Sequence, residues 1–194
     1  MNDFNSLCVF CGSKVGANPA FEAEARRLGT LMAERGIRLV YGGGRIGLMG
    51  VVADAVYQAG GEVIGVIPDF LMHLEVGNEK VGELIVTDSM HTRKAKMFEL
   101  SDAAIALPGG IGTLDETIEV MTWKQLRQHG KPIILIDVEG YWKPFLDLLD
   151  AVIDGDFAHP KIRELISTAP DADGVFEALA NAPEPDQEVL TSHF

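Results

Sequence analysis

Short apolar runs alternate with helical stretches along almost all of this 194-residue chain, and that alternation limits its fold more than any other feature. Residues 7–10, 37–41, 63–67, 84–86, 103–107 and 133–136 read as strands, apolar throughout except for Arg38. Strands buried on both faces have that pattern, whereas strands with one wet face alternate. Helices are predicted over 19–35, 48–59, 90–100, 114–128 and 142–153. Asn18 supplies a cap and Pro19 the first position of the first of these, and Gly60-Gly61 closes the second. A short strand near 165–167 and a helix near 174–180 complete the series. Strands alternating with helices make an α/β protein, a doubly wound parallel sheet with helices on both faces. Residues 1–182 are read as one domain and 183–194 as a polar tail. Residues 69–83 lack any period and form a long connection, of a kind that is commonly functional.

Ligands of such sheets sit beyond the carboxyl ends of the strands, where the strand order switches. Three strands here run into glycine-rich turns: Gly12-Ser13, Gly42-Gly43-Gly44 and Pro108-Gly109-Gly110. The third continues as Ile111-Gly112-Thr113-Leu114-Asp115-Glu116. A glycine turn opening a helix exposes unpaired N–H groups with partial positive charge, which suits a phosphate. The lysine of an NTPase loop is missing. Thr113-x-x-Glu116 also matches a capping box, a purely structural reading of the same residues. Gly42, Gly44 and Gly47 match the spacing of a dinucleotide fingerprint, but after the second strand rather than the first. We read this segment, Gly43 included, as a wall of the same pocket, and an NAD-type oxidoreductase as an alternative.

Met90-His91-Thr92-Arg93-Lys94 places cations near a helix start, where the macrodipole disfavours them unless an anion or an acidic neighbour is present. Glu116 and Glu119 stand three apart and share a helix face, with Leu114, Ile118 and Met121 expected on the core side. Paired carboxylates suit stabilisation of an oxocarbenium-like centre and activation of water.

The charge balance narrows the partners. With 29 acidic against 16 basic residues the net charge is -13, which repels nucleic acid. Cys8 and Cys11 form an isolated C-x-x-C, and the five histidines lack ligand spacing, so no metal site is expected. Two buried, reduced thiols fit a cytoplasmic location. The first residues lack the features of a signal peptide, and no run is long enough to span a membrane.

These motifs together resemble the LOG (Lonely Guy) family, also grouped as possible lysine decarboxylases. The resemblance runs from CVFCGS through LVYGGGRIGLMG, VIGVIP, MHTRKAKM and ALPGGIGTLDETIEVMTWKQL to HGKPIILIDVEGYWKPFLDLLD. It implies a Rossmann-like fold, a homodimer, and hydrolysis of the N-glycosidic bond of cytokinin-type riboside 5′-monophosphates and AMP. By motif match it implies catalytic places for Arg93 and Glu116. It implies substrate binding by Lys94, by the loop of Gly110, Ile111, Gly112, Thr113, Leu114, Asp115 and Glu116, by Thr122, and by Glu75. The family's P-R-E reads His73-Leu74-Glu75 here, and Asp115 stands where many plant members have Glu. Decarboxylation of lysine normally needs a pyridoxal phosphate Schiff base. No lysine here stands in such a motif, and no cofactor is expected. Gly12, Ser13 and Gly109 are expected to border the phosphate. A nucleotide or molybdenum-cofactor carrier without hydrolase activity is the other class of protein these residues allow.

Overall fold

The computed structural model describes residues 4–72 and 82–183. All but the first residue of the expected tail therefore lies outside the described residues, as does Glu75. Seven strands form one parallel sheet. They are β1 (Ser6–Phe10), β2 (Arg38–Tyr41), β3 (Val63–Pro68), β4 (Glu83–Thr87), β5 (Ala103–Ala106), β6 (Ile133–Ile136) and β7 (Ser167–Ala169). Their spatial order is β4-β3-β2-β1-β5-β6-β7. The chain builds outward from β1 to one edge, then returns to β5 on β1's other side. The order thus reverses between β1 and β5, which is where such sheets open a crevice.

Among the described residues, six α-helices cover the two faces: α1 (Pro19–Glu34), α2 (Gly47–Gln58), α3 (Met90–Glu99), α4 (Ile111–Gln125), α5 (Lys143–Asp154) and α6 (Val175–Ala180). Alternate residues of β1 explain why two cores exist. Leu7 and Val9 pack with α1, α2 and α6. Cys8 and Phe10 pack with α3, α4 and α5. The two cysteines are both buried, and they belong to these opposite clusters.

The sequence-based element types agree with this architecture, with two informative shifts. The last strand lies two residues later than expected, because residues 160–165 form a 3-10 segment instead. Helix α4 begins at Ile111, three residues early, with Gly110 as its cap and no side-chain capping bond. Ile118, expected in the core, is 46% exposed.

The buried Lys124 ties α4 to that 3-10 segment. Its ammonium donates to the Leu165 carbonyl at 3.0 Å. Burial pulls its pKa from 10.5 down to about 8. Below pH 8 the amine is charged in both folded and unfolded chains, and the folded state carries the desolvation cost. Between pH 8 and 10.5 the unfolded chain holds the extra proton, so stability rises with pH through that window. Lys124→Met should therefore stabilise the protein by ~1 kcal/mol near pH 7. In denaturant titrations this advantage should shrink toward pH 10; an advantage that is flat with pH would contradict the assignment.

Candidate active site

The three glycine turns meet where β1, β2 and β5 end. The Gly12 N–H donates to the Pro108 carbonyl at 3.1 Å, and the Gly12 carbonyl accepts from Leu48 N–H at 2.9 Å. The second contact brings the start of α2 onto the turn after β1. A side chain at Gly47, whose φ is +64°, would strike Ser13 and Lys14 backbone atoms at 2.2–2.5 Å. The glycine of the apparent dinucleotide fingerprint thus serves this close backbone approach.

Next to these turns lies a cavity of about 210 Å³. Of the residues expected at the site, Ser13, Arg93, Gly110, Ile111, Gly112, Thr113 and Glu116 line it. Gly12 and Gly109 line a neighbouring cavity that shares Ser13 and Gly110 with this one. Gly43 turns instead toward Ile67 and Leu84, and Gly42 is the residue of that turn which faces the cavity. Cys11, Met49, Leu71 and Met90 add walls that the motif reading passed over. Met90 opens the basic motif and was within reach of it. Leu71 and Met49 carry no local signal and arrive only through packing.

The early start of α4 decides between the two readings of Thr113 and Glu116. With Gly110 as cap, Thr113 is the third helical residue and Glu116 lies in the second turn, so neither forms a capping box. The first N–H groups of α4 have no intrahelical partner and face the ligand end of the sheet. Thr113 is buried and Glu116 is 9% exposed, on the cavity wall.

Helix α3 delivers the cations. The Ser89 hydroxyl caps it by accepting from Thr92 N–H at 3.2 Å. The Thr92 hydroxyl bonds Asp88 at 2.6 Å, which holds the Asp88 carboxyl below its usual range. One turn on, buried Arg93 donates from Nε to the Val66 carbonyl (3.1 Å) and from Nη2 to the Gly42 carbonyl (2.7 Å). Its guanidinium thereby joins the ends of β2 and β3 and is held rigidly at the cavity. A side chain at Gly42 would meet Nη2 at 2.1 Å, so glycine is required there for this contact.

Lys94 points elsewhere. Its ammonium lies 2.9 Å from Asp115 and 3.0 Å from Glu119. Burial works against its charge, but the two carboxylates more than offset this and raise its pKa. The basic helix start is therefore relieved by carbonyls for Arg93 and by carboxylates for Lys94. Asp115 and Glu119 join α4 to α3 through that lysine and do not line the cavity. Leu114 is half-buried against the α3–α5 core. Thr122 is exposed, its hydroxyl donating to the Ile118 carbonyl at 2.8 Å. Burial, with the Glu116 charge nearby, pushes the Cys8 thiol well up, so it is inert at neutral pH.

Among the described residues, no three His, Cys, Asp or Glu side chains cluster as metal ligands. No described helix is long and apolar enough to cross a membrane.

Comparison with known proteins places this arrangement. Residues 49–179 match the family described as "Possible lysine decarboxylase". Cytokinin riboside 5′-monophosphate phosphoribohydrolase LOG7 of Arabidopsis thaliana is 46% identical over 97% of this chain and 87% of its own length. The rice enzyme LOG (Oryza sativa subsp. japonica) is 49% identical over 87% of this chain and 70% of its own. The chain belongs to the LOG family. Among solved structures, a molybdenum cofactor carrier protein from Chlamydomonas reinhardtii superposes with a TM-score of 0.69 at 24% identity. It covers 93% of this chain and 98% of its own. The molybdenum cofactor binding protein of Rippkaea orientalis gives 0.66 at 23%, with the same coverage. At that identity the likeness establishes a shared Rossmann-like fold. Of the motif residues, Ser13, Arg93, Gly110, Ile111, Gly112, Thr113 and Glu116 are the ones that gather around the 210 Å³ cavity.

Proposed function

We propose that the protein hydrolyses the N-glycosidic bond of purine riboside 5′-monophosphates, N6-prenylated (cytokinin-type) nucleotides and AMP alike, releasing the free base and ribose 5-phosphate. One observation carries this reading. The open amino end of α4 and the Glu116 carboxylate line the same cavity, with the Arg93 guanidinium beside them. An anion site, a carboxylate and a fixed cation are what breaking the bond at C1′ of a phosphorylated ribose requires.

The helix sets the spacing. Residues 111 and 116 are separated by ~7.5 Å along the axis at 1.5 Å per residue. Helical side chains lean back toward the helix start, which brings the Glu116 carboxylate toward the anomeric carbon of a ribose whose 5′-phosphate sits there. The N–H groups of 111–113 hold the phosphate. The ribose then runs along the first turn and a half of α4, with C1′ at Glu116. As the C1′–N bond lengthens, positive charge grows on the sugar ring and the Glu116 carboxylate stabilises it. Water adds to C1′ from the opposite face, and the base leaves with a proton. Arg93, locked by two carbonyls, adds positive potential for the anionic ligand without reorganising.

The decarboxylase description has no comparable support. A Schiff base needs a neutral amine, and Lys94 is held charged between two carboxylates. Lys124 is buried against the Leu165 carbonyl.

A homodimer completes the proposal. Ile111, Ile118 and Leu126, at 81%, 46% and 54% exposure, form an apolar stripe on α4 together with Thr122. This stripe is the surface we assign to the partner copy, and it gives Thr122 a route to a ligand held by that copy.

Incubation with AMP, isopentenyl-AMP, GMP and CMP tests the reading, with bases and ribose 5-phosphate resolved by chromatography. Purine release, fastest among the adenine nucleotides, is expected. Tight nucleotide binding with no base released would identify a carrier instead.

A further inference from the structure

The turns after β1 and β5 separate two cavities rather than closing one. Ser13 and Gly110 line both. The cavity on the α1 side is the larger, about 350 Å³ against 210 Å³, and lies within the range of small-molecule sites. Its walls include Lys14, Val15, Phe21 and Tyr141. Phe21 and Tyr141 meet edge to face, 5.4 Å between ring centres. The Tyr141 hydroxyl donates to the Gly109 carbonyl, which braces the turn that divides the cavities.

In the proposed function the N–H groups of 111–113 hold the phosphate, next to Gly110 on that dividing line. The ribose arm leaves it toward Glu116. The opposite oxygens then face the aromatic-walled cavity. A phosphomonoester has no group to place there, and its second negative charge gains nothing from apolar walls. A diester loses that charge and gains a substituent. The free N–H groups at the start of α4 remain for the oxygen that stays ionised.

We infer that this cavity receives the second arm of an esterified 5′-phosphate, so that the site accepts nucleoside 5′-phosphodiesters bearing a compact apolar or aromatic group. The inference rests on the placement of the phosphate in the proposed function. The chemistry at C1′ is unchanged: water adds, the glycosidic bond breaks, the base leaves with a proton, and the ribose 5-phosphodiester is released intact.

The test compares AMP with its 5′-phenyl ester on the wild-type protein and on Val15→Trp. Val15 is 41% exposed at the cavity wall and takes no part in the catalytic cavity, so the bulk of Trp enters only the second chamber. Calorimetry reads affinity, chromatography reads adenine release, and circular dichroism confirms folding. The wild type should bind the ester within about 10-fold of AMP and release adenine from it. The Trp variant should lose about 10-fold or more for the ester alone. An ester excluded by a wild-type protein that binds AMP overturns the inference. So does a Trp variant that weakens both ligands equally. If AMP itself fails to bind, the parent reading falls first and this one with it, before any ester is added.

Discussion

Glu116→Gln should lower base release from AMP at least ~100-fold while the protein stays folded and still binds the nucleotide. The substitution keeps the shape of the side chain and removes its charge. That charge faces the sugar only once positive character develops at C1′, so the loss belongs in kcat rather than in affinity. In the proposed site the phosphate is held by backbone N–H groups of 111–113, five to three residues earlier on α4, and the substitution does not touch them. Calorimetric AMP affinity within a few-fold of wild type, together with the collapse of turnover, is the expected signature. A purified, folded Glu116→Gln protein that turns over normally would remove the carboxylate from the mechanism.

Arg93→Met should lose a comparable ~100-fold in turnover and, unlike the glutamate variant, should also lose stability. The guanidinium donates to two carbonyls, Val66 at 3.1 Å and Gly42 at 2.7 Å, and Arg93 is 4% exposed. Methionine fills much of the volume but leaves both acceptors buried without that donor, at ~1–3 kcal/mol each. We expect ~2–4 kcal/mol of destabilisation in urea unfolding. Arg93→Lys should rescue little, because one ammonium cannot span two carbonyls in the geometry of a planar fork. Unchanged stability in Arg93→Met would show that the two carbonyls find other partners and that the arginine is not the clamp between β2 and β3.

The two variants fail differently because the two side chains are held differently, and that difference was only half legible in the sequence. Both residues stand in motifs that can be picked out by eye. The partners of Arg93 are backbone carbonyls 27 and 51 residues away, and no local pattern announces a carbonyl. Lys94 illustrates the same limit. It follows Arg93 in the basic motif and resembles a second anion ligand, yet its ammonium is taken up by Asp115 and Glu119. Adjacent helical residues point about 100° apart, so a motif that names both cannot say which one faces the ligand.

Helix α4 shows where periodicity misleads. Glycine, which stands at its cap (Gly110) and again in its first turn (Gly112), is a poor helix former, so propensity delays its start past Thr113. In the folded chain the helix begins at Ile111. That three-residue difference changes Thr113 and Glu116 from a cap into cavity-lining groups. Ile118 has the spacing of a core residue, but the apolar stripe it belongs to lies on the exposed side of α4. Hydrophobic spacing identifies a face without saying what covers it.

The alternation of wholly apolar runs with helices was enough, by itself, to specify a parallel sheet with two covered faces and a ligand end. Those preferences are local and repeat along the chain, so each segment carries its own evidence. The glycine turns, the basic helix start and the glutamate were legible for the same reason. Only the tertiary structure decided that the strand order reverses between β1 and β5, that Arg93 faces the cavity while Lys94 bridges α3 to α4, and that one pair of turns divides two chambers. Those outcomes depend on contacts between segments tens of residues apart, whose energies are set by packing and by the partners of buried polar groups.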